Sequence, residues 1–272
     1  MTDTIDTVWL KEQFAQLLSR FGRSLHYVSE VGSTNSEAFE AALAGAADGA
    51  LWIADKQTHG RGSHARNWFS PGGLNVYMSL VVRPSVTVCR LPGLTLCAGL
   101  AVAQAIETFV HRATVGIKWP NDVLINGRKV AGILVESGFL DGRCEFVVVG
   151  FGINVHQRNF DASLERQATS IRLHEDRGAT RQRVILETLR WFEKRLAQFE
   201  RDDGDLVSMM KPLRERDVTR GRVVQVGNAF GVAIGIASDG RLNVKMDDGE
   251  RLVEAGRVQV VGAVGGQRKD QG

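Results

Sequence analysis

Apolar positions recur along the chain at two periods, and the change between them marks out its parts. Residues 7–21 place Val8, Phe14, Leu17, Leu18 and Phe21 near helical spacing, so an amphipathic helix opens the chain, followed by a short strand over Leu25–Val28. Thr34, with Glu37 three residues on, reads as a capping box for a helix reaching about Leu43. Two apolar runs, Leu51–Ala54 and Val76–Val82, bracket a glycine-punctuated loop; the second lies in an alternating strand over Asn75–Arg83. Leu91–Phe109 reads as a long helix, with Leu94, Ala98, Ala101, Val102, Ala105 and Ile106 on a stripe small enough to pack closely against a sheet.

Asn126-Gly127 between apolar runs is a strong two-residue hairpin signal. A type I′ turn there pairs Ile125 with Arg128, Leu124 with Lys129 and Asp122 with Ala131. Strict alternation then gathers Asp122, Leu124, Lys129, Ala131 and Ile133 on one face, with Pro120 set to distort the strand's start. Phe146–Val155 is apolar on both faces and broken by Gly150 and Gly152. Residues 157–180 read as loop with one helical turn, and Thr180–Phe199 and Leu206–Glu215 as helices. The grammar then changes. Arg222–Val226, Phe230–Ala237, Leu242–Lys245 and Arg251–Val253 are short strands separated by Asp-Gly turns, which predicts a small β-barrel from near Val218. The tail from Ala263 is polar and glycine-rich, an expected disordered end. The expected fold is mixed α/β over 1–217, a barrel over 218–262 and a tail over 263–272.

Composition adds bounds. The 272 residues are 43% hydrophobic and carry 34 basic against 31 acidic side chains, a net charge of +3 too small to announce a nucleic-acid binder. Cys89, Cys97 and Cys144 share no metal-ligand spacing and read as buried thiols of a reducing compartment. With no signal-peptide pattern and no long apolar run, the expectation is a cytoplasmic protein.

Candidate chemistry concentrates in four stretches. Val31–Glu37 carries Ser33, Thr34 and Asn35 at a helix start, where they cap the helix or bind a polar ligand group. Gln57–Ser70 carries Arg61, Arg66, His59 and His64 among Gly60 and Gly62. It reads as a solvated basic loop or as one that approaches a phosphate or carboxylate. Gly60-x-Gly62-x-x-Ala65 also fits a loose dinucleotide fingerprint. We reject it, because Pro71-Gly72-Gly73 and a strand follow instead of a helix, and Arg83 stands near the position of the required acid. In the third stretch Lys129 and Asp122 form either a cross-strand ion pair facing solvent or a functional pair on a covered face. In the fourth, Gly150 and Gly152 mark a bulge or a close approach to backbone, and Asn154 arrives where the apolar run stops.

Taken in order, Gly-Ser-Thr-Asn (32–35), Gln57 with Gly-Arg-Gly (60–62) and Trp68, Lys-Trp-Pro-Asn-Asp (118–122) with Lys129-x-x-Gly-Ile-Leu-Val-Glu (129–136), and Gly-x-Gly-Ile-Asn (150–154) closely resemble the biotin protein ligases. The resemblance runs from about Leu25 to Val261. It implies a catalytic domain related to class II aminoacyl-tRNA synthetases and lipoate ligases, then an SH3-like barrel. The stretch before Leu25 is too short for the winged-helix DNA-binding domain of some members, so the ligase-only form is expected. By resemblance, biotin is activated with ATP and Mg2+ to biotinyl-AMP and passed to a lysine of a biotin carboxyl carrier protein, with no DNA or membrane partner; a homodimer is left open.

The same resemblance distributes roles. Arg61 and Lys129 neutralise the reacting anions, with Lys118 adding positive charge. Ser33, Thr34, Asn35 and Gln57 bind the ureido end of biotin, and Gly60, Gly62, Ser63, Gly132, Ile133 and Gly152 line its slot. Trp68 stacks on adenine beside Asn121 and Asn154, with Arg61, Lys118 and Lys129 also serving ATP. Asp122 orients or deprotonates the incoming amine, and no protein side chain is assigned to metal. One departure stands out. Where the family loop usually continues Gly-Arg-Gly-Arg-x-Gly, this chain has Ser63 and Ala65, so weaker retention of biotinyl-AMP is expected unless His64 or Arg66 substitutes. Lipoate or octanoyl transfer shares Lys-Trp-Pro-Asn-Asp and is the enzymatic alternative. A nucleic-acid-binding module is the other, disfavoured by the lack of a contiguous basic stripe or reading helix.

Overall fold

The computed structural model describes residues 3–87, 90–140, 143–161, 164–175, 177–255 and 258–263. Cys89 and the tail beyond Ala263 lie outside them. Asp6 accepts from the Val8 and Trp9 N–H groups and starts α1 (Thr7–Leu17). That start sets the helix's phase: Leu10 and Phe14 are buried with Leu18 and Phe21 beyond, while Val8 and Leu17, expected on the apolar stripe, face solvent.

There follow β1 (Leu25–Val31), α2 (Thr34–Leu43), β2 (Leu51–Gln57), β3 (Val76–Val82), α3 (Leu91–Glu107), β4 (Val115–Lys118), β5 (Asp122–Ile125), β6 (Arg128–Leu140), β7 (Arg143–Ile153) and α4 (Arg181–Arg201). The strands form a seven-stranded sheet in the order β1-β2-β3-β7-β6-β5-β4, parallel at β1-β2 and antiparallel elsewhere. The loop after β2 holds a three-residue 3-10 turn, Ser63–Ala65, and leads to β3 instead of an α-helix, consistent with rejecting a dinucleotide fold. The main core fills one side of the sheet. There α3, buried nearly all round rather than along one stripe, packs against α4.

The other side holds a smaller cluster under α2: Ala38, Ala42, Ala50, Val81, Phe146 and Val148. Along β7 this face runs Phe146, Val148, Gly150, Gly152, so an apolar floor gives way to bare backbone where the cover of α2 ends. The register across Gly150 and Gly152 is continuous with both neighbours. These glycines mark close approach, then, and not a bulge. A Cβ on Gly150 would stand 2.1 Å from Asn35 Oδ1, and one on Gly152 2.6 Å from the Trp68 ring.

A short α5 (Met210–Arg216) leads to a second, five-stranded antiparallel sheet in the order β11-β10-β9-β8-β12, built from β8 (Arg222–Val226), β9 (Ala229–Ile236), β10 (Leu242–Met246), β11 (Gly249–Val253) and β12 (Val258–Ala263).

Candidate active site

The site grows from two hairpin turns. Asn126 (φ 49°) and Gly127 (φ 78°) close the turn between β5 and β6, pairing Ile125 with Arg128 and Leu124 with Lys129 as expected. The register then slips by one residue, so Asp122 faces Gly132 and not Ala131. The Lys129 N–H donates to Gln167 O, and the Thr169 N–H donates to Lys129 O, so Lys129 pairs with a distant loop at the slip. Ala131 and Ile133 therefore turn into the main core, with Ile133 packed near Gly99 of α3, while Lys129 and Gly132 stay on the open face. The expected five-residue face is corrected accordingly. A second tight turn, Trp119–Asn121, joins β4 to β5 and sets Lys118 opposite Asp122. Lys129 Nζ lies 2.6 Å from Asp122 Oδ1 and 5.1 Å from the centre of the Trp68 ring.

At the start of α2 the capping box is not formed. Ser33 takes the N-cap position, and the Glu37 N–H bonds to the Ser33 carbonyl. The Thr34 N–H and hydroxyl both donate to Gln57 Oε1, at 2.9 and 3.1 Å. Ser79 Oγ, in the middle of apolar β3, donates to Asn35 Oδ1 at 2.6 Å and lies 2.8 Å from Thr34 Oγ1. Asn35 Nδ2 donates to Glu136 Oε2 at 3.0 Å. In the loop after β2, Gln57 Nε2 donates to the Ser70 hydroxyl, which donates to Trp68 O. Arg61 bonds both oxygens of Glu136, at 3.1 and 2.6 Å. Gly60 has no room for a Cβ, which would stand 2.4 Å from Trp68 O.

These groups line one cleft of about 440 Å³ of empty space counted to its open mouth. Ser33, Thr34, Asn35 and Gln57 stand with Arg61, Gly62, Ser63, Trp68, Asn121, Lys129, Gly132, Ile133 and Gly152. Beyond Trp68 a larger cleft, about 1370 Å³ with its open mouth included, is bordered by Ser63, Arg66, Trp68, Lys118, Asp122, Lys129, Asn154, Phe160, Asp161 and Arg166. Trp68, Lys129, Gly62 and Ser63 border both. Asn154 Nδ2 donates to Thr169 O beside the larger cleft. Asn121 is instead bonded to the backbone of Ile133 beside the smaller one. The Trp68 Nε1–H is buried with no acceptor among the described residues, a donor suited to a ligand atom.

Sequence reasoning gave no role to Ser79, Ser70 or Glu136. Ser79 carried a signal: a small hydroxyl inside a fully buried strand needs a polar partner. Glu136 was visible only as the end of a motif, because its partner Arg61 lies 75 positions away. No group of three or more metal-ligating side chains occurs among the described residues, and no described helix is long and apolar enough to cross a membrane.

Residues 30–154 match the biotin/lipoate A/B protein ligase family. The chain is 35% identical over 244 residues to the bifunctional ligase/repressor BirA of Bacillus spizizenii, covering 88% of this chain and 74% of that one. It is equally 35% identical to the biotin–[acetyl-CoA-carboxylase] ligase of Mycobacterium tuberculosis, over 87% of this chain and 88% of the relative. The structure superposes on the biotin protein ligase of Aquifex aeolicus, solved with biotin and ATP, at a TM-score of 0.75 and 26% identity over 89% of this chain and all of the other. Identity of this extent, joined to the same fold and to the four motifs meeting around two clefts, places the chain among the biotin protein ligases.

Proposed function

We propose that this protein activates biotin with ATP to biotinyl-AMP and transfers the biotinyl group to a lysine of a biotin carboxyl carrier protein. The observation that carries this is that the two clefts lie side by side and share Gly62, Ser63, Trp68 and Lys129 as their common wall. A polar end built on Ser33, Thr34 and Gln57 leads along glycine-floored backbone to Arg61 and Lys129, and past Trp68 into a larger, mainly cationic cleft. That suits a small acid with a polar head, with its carboxylate delivered to a nucleotide on the far side.

In the first step a biotin carboxylate oxygen bonds to the α-phosphorus of ATP. The bond from that phosphorus to the bridging oxygen breaks, and pyrophosphate leaves. Two anions must approach, so the cations lower the barrier by meeting charge where it develops. Lys129 is the group placed to serve both reactants, since it borders both clefts, and Arg61 joins it from the loop. Lys118 supplies charge on the nucleotide side, Trp68 a stacking surface for adenine, and Asn154 a polar edge. In the second step the carrier's amine attacks the mixed-anhydride carbonyl and AMP leaves. Asp122, released from Lys129 once that lysine turns to phosphate, accepts or directs the amine's proton.

The larger cleft offers two carboxylates, Asp122 and Asp161, which fits a magnesium ion carried mainly by the triphosphate and not caged by protein. When bound, that ion would screen the phosphates' charge. We assign residues 1–217 to the catalytic domain and 218–262 to the SH3-like one. The test is ATP–pyrophosphate exchange. Biotin should stimulate it and lipoate should not; stimulation by lipoate alone would move the protein to the related acyl-transfer branch.

A further inference from the structure

The Lys118–Asp122 segment is anchored from outside its own sheet. The Trp119 backbone N–H donates to Thr219 Oγ1 at 2.8 Å, and its indole N–H donates to Gly240 O at 3.0 Å, both bonds buried. Thr219 leads into β8 of the five-stranded sheet, and Gly240 sits in the turn between β9 and β10. The Val218 N–H donates to Ile117 O at 3.1 Å, which continues the edge of β4. A Cβ on Gly116 would stand 2.4 Å from Val218 Cγ1, so glycine is what lets the two meet. The Gly240 turn is itself seated on α3, where a Cβ would stand 2.9 Å from Gly93 Cα.

β4 is four residues long, lies at the end of its sheet and has one strand partner, β5. Val115 and Ile117 fix the strand itself in the main core. Yet Lys118 and Asp122 stand at the two ends of the turn that Trp119 begins. The polar end of the smaller cleft is built elsewhere, on α2, β2 and β3, and makes none of these contacts. We propose that the C-terminal sheet sets the catalytic geometry through Thr219 and Trp119, which act as positioning residues for Lys118 and Asp122 and not as groups that touch substrate. The inference rests on the reaction proposed above. It adds that the five-stranded sheet holds the Lys118 and Asp122 side of the larger cleft, while the Ser33, Thr34 and Gln57 end of the smaller one is held independently. A cation displaced by about 1 Å costs a step of this kind up to about 100-fold.

The experiment compares Thr219→Val, which keeps the shape but loses the acceptor, with Thr219→Ser, which keeps the hydroxyl. Exchange at saturating biotin should fall roughly 10-fold in Thr219→Val, with a higher KM for ATP. Its biotin Kd should stay within about 2-fold of wild type, and Thr219→Ser should behave as wild type. Trp119→Phe, which removes the indole donor together with part of the buried ring, should move the same way if Thr219→Val folds poorly. Wild-type exchange rates in Thr219→Val and Trp119→Phe would overturn the proposal. So would biotin affinity, melting temperature and exchange falling together, the pattern of mere stabilisation. If wild type shows no biotin-dependent exchange, the proposed reaction fails instead. ATP affinity then judges the clamp: weaker binding in Thr219→Val but not in Thr219→Ser supports it, and equal binding in both overturns it.

Discussion

Arg61 and Arg181 are each held by carboxylate, and they illustrate two uses of the same chemistry. Arg181 is 2% exposed. It reaches Asp55 at 2.5 Å and the Asp3 carbonyl from both Nε and Nη2, and so ties the N-terminal segment to β2 at the start of α4. Arg61, on the wall of the smaller cleft, has a side chain 49% exposed and takes Glu136 as its carboxylate partner. A buried guanidinium bonded through all three of its nitrogens cannot let go without stranding a charge, whereas an exposed pair is worth little and is easily traded for a better anion. Lys129 with Asp122, 32% and 21% exposed, is half-buried but faces the cleft, where an anion can reach it. The cleft keeps its cations in reserve on weak partners; the back of the sheet commits its own permanently.

The contrast breaks most visibly at Arg181. Arg181→Ala should destabilise the fold by about 3–5 kcal/mol, because Asp55 is left without its charge partner; a denaturant midpoint unchanged from wild type would erase the distinction. Lys129→Ala should leave that midpoint within about 1 kcal/mol of wild type. It should also slow adenylate formation by at least about 100- to 1000-fold, the scale of one lost transition-state donor; near-normal turnover would mean the catalytic cation lies elsewhere.

Ser63→Arg sharpens the comparison on the cleft side. One added charge-assisted bond, about 1.5–3 kcal/mol, should slow biotinyl-AMP release by roughly 10- to 150-fold and lower stray biotinylation of bystander lysines. Equal leakage from both proteins would mean Arg66 or another group already holds the adenylate.

The smallest expected effect is at Asp3. Burial raises its carboxyl, but the hydrogen bond with His156, the Arg181 N–H and both their charges outweigh this and hold it below the usual carboxylate range. A lowered folded pKa gives stability that is present above the unfolded value and lost as pH falls through the folded one. Below about pH 4 the protein should therefore lose stability that Asp3→Asn no longer loses, by under about 1 kcal/mol after solvent screening. Parallel acid-melting curves for the two proteins would contradict this.

What could be read from the sequence, and what could not, divides by distance along the chain. Asn126-Gly127 announced its turn because a type I′ geometry is a local demand. The register slip three residues later was not legible, since it depends on Lys129 pairing with Gln167 and Thr169 from a loop far along the chain. Thr34 looked like a cap because Glu37 follows at the right spacing; in the structure its hydroxyl is claimed by Gln57, and the helix starts one residue earlier, at Ser33. Val8 and Leu17 were misassigned in α1 because the helix's phase follows from Asp6, which a hydrophobic count ignores. The four motifs converge as expected, with Arg61 and Lys129 on one cleft, while Glu136 and Ser79 needed three dimensions to acquire partners.

Arg61 from the loop after β2 and Lys129 from the β5–β6 hairpin meet on one cleft, where the proposed reaction joins one small acid to AMP. Native mass spectrometry of the protein after incubation with biotin and ATP tests this most directly. Wild type should retain a non-covalent mass equal to biotinyl-AMP, Lys129→Ala should not, and lipoate in place of biotin should leave no adduct. An adduct of equal yield in Lys129→Ala, or none in wild type, would contradict it.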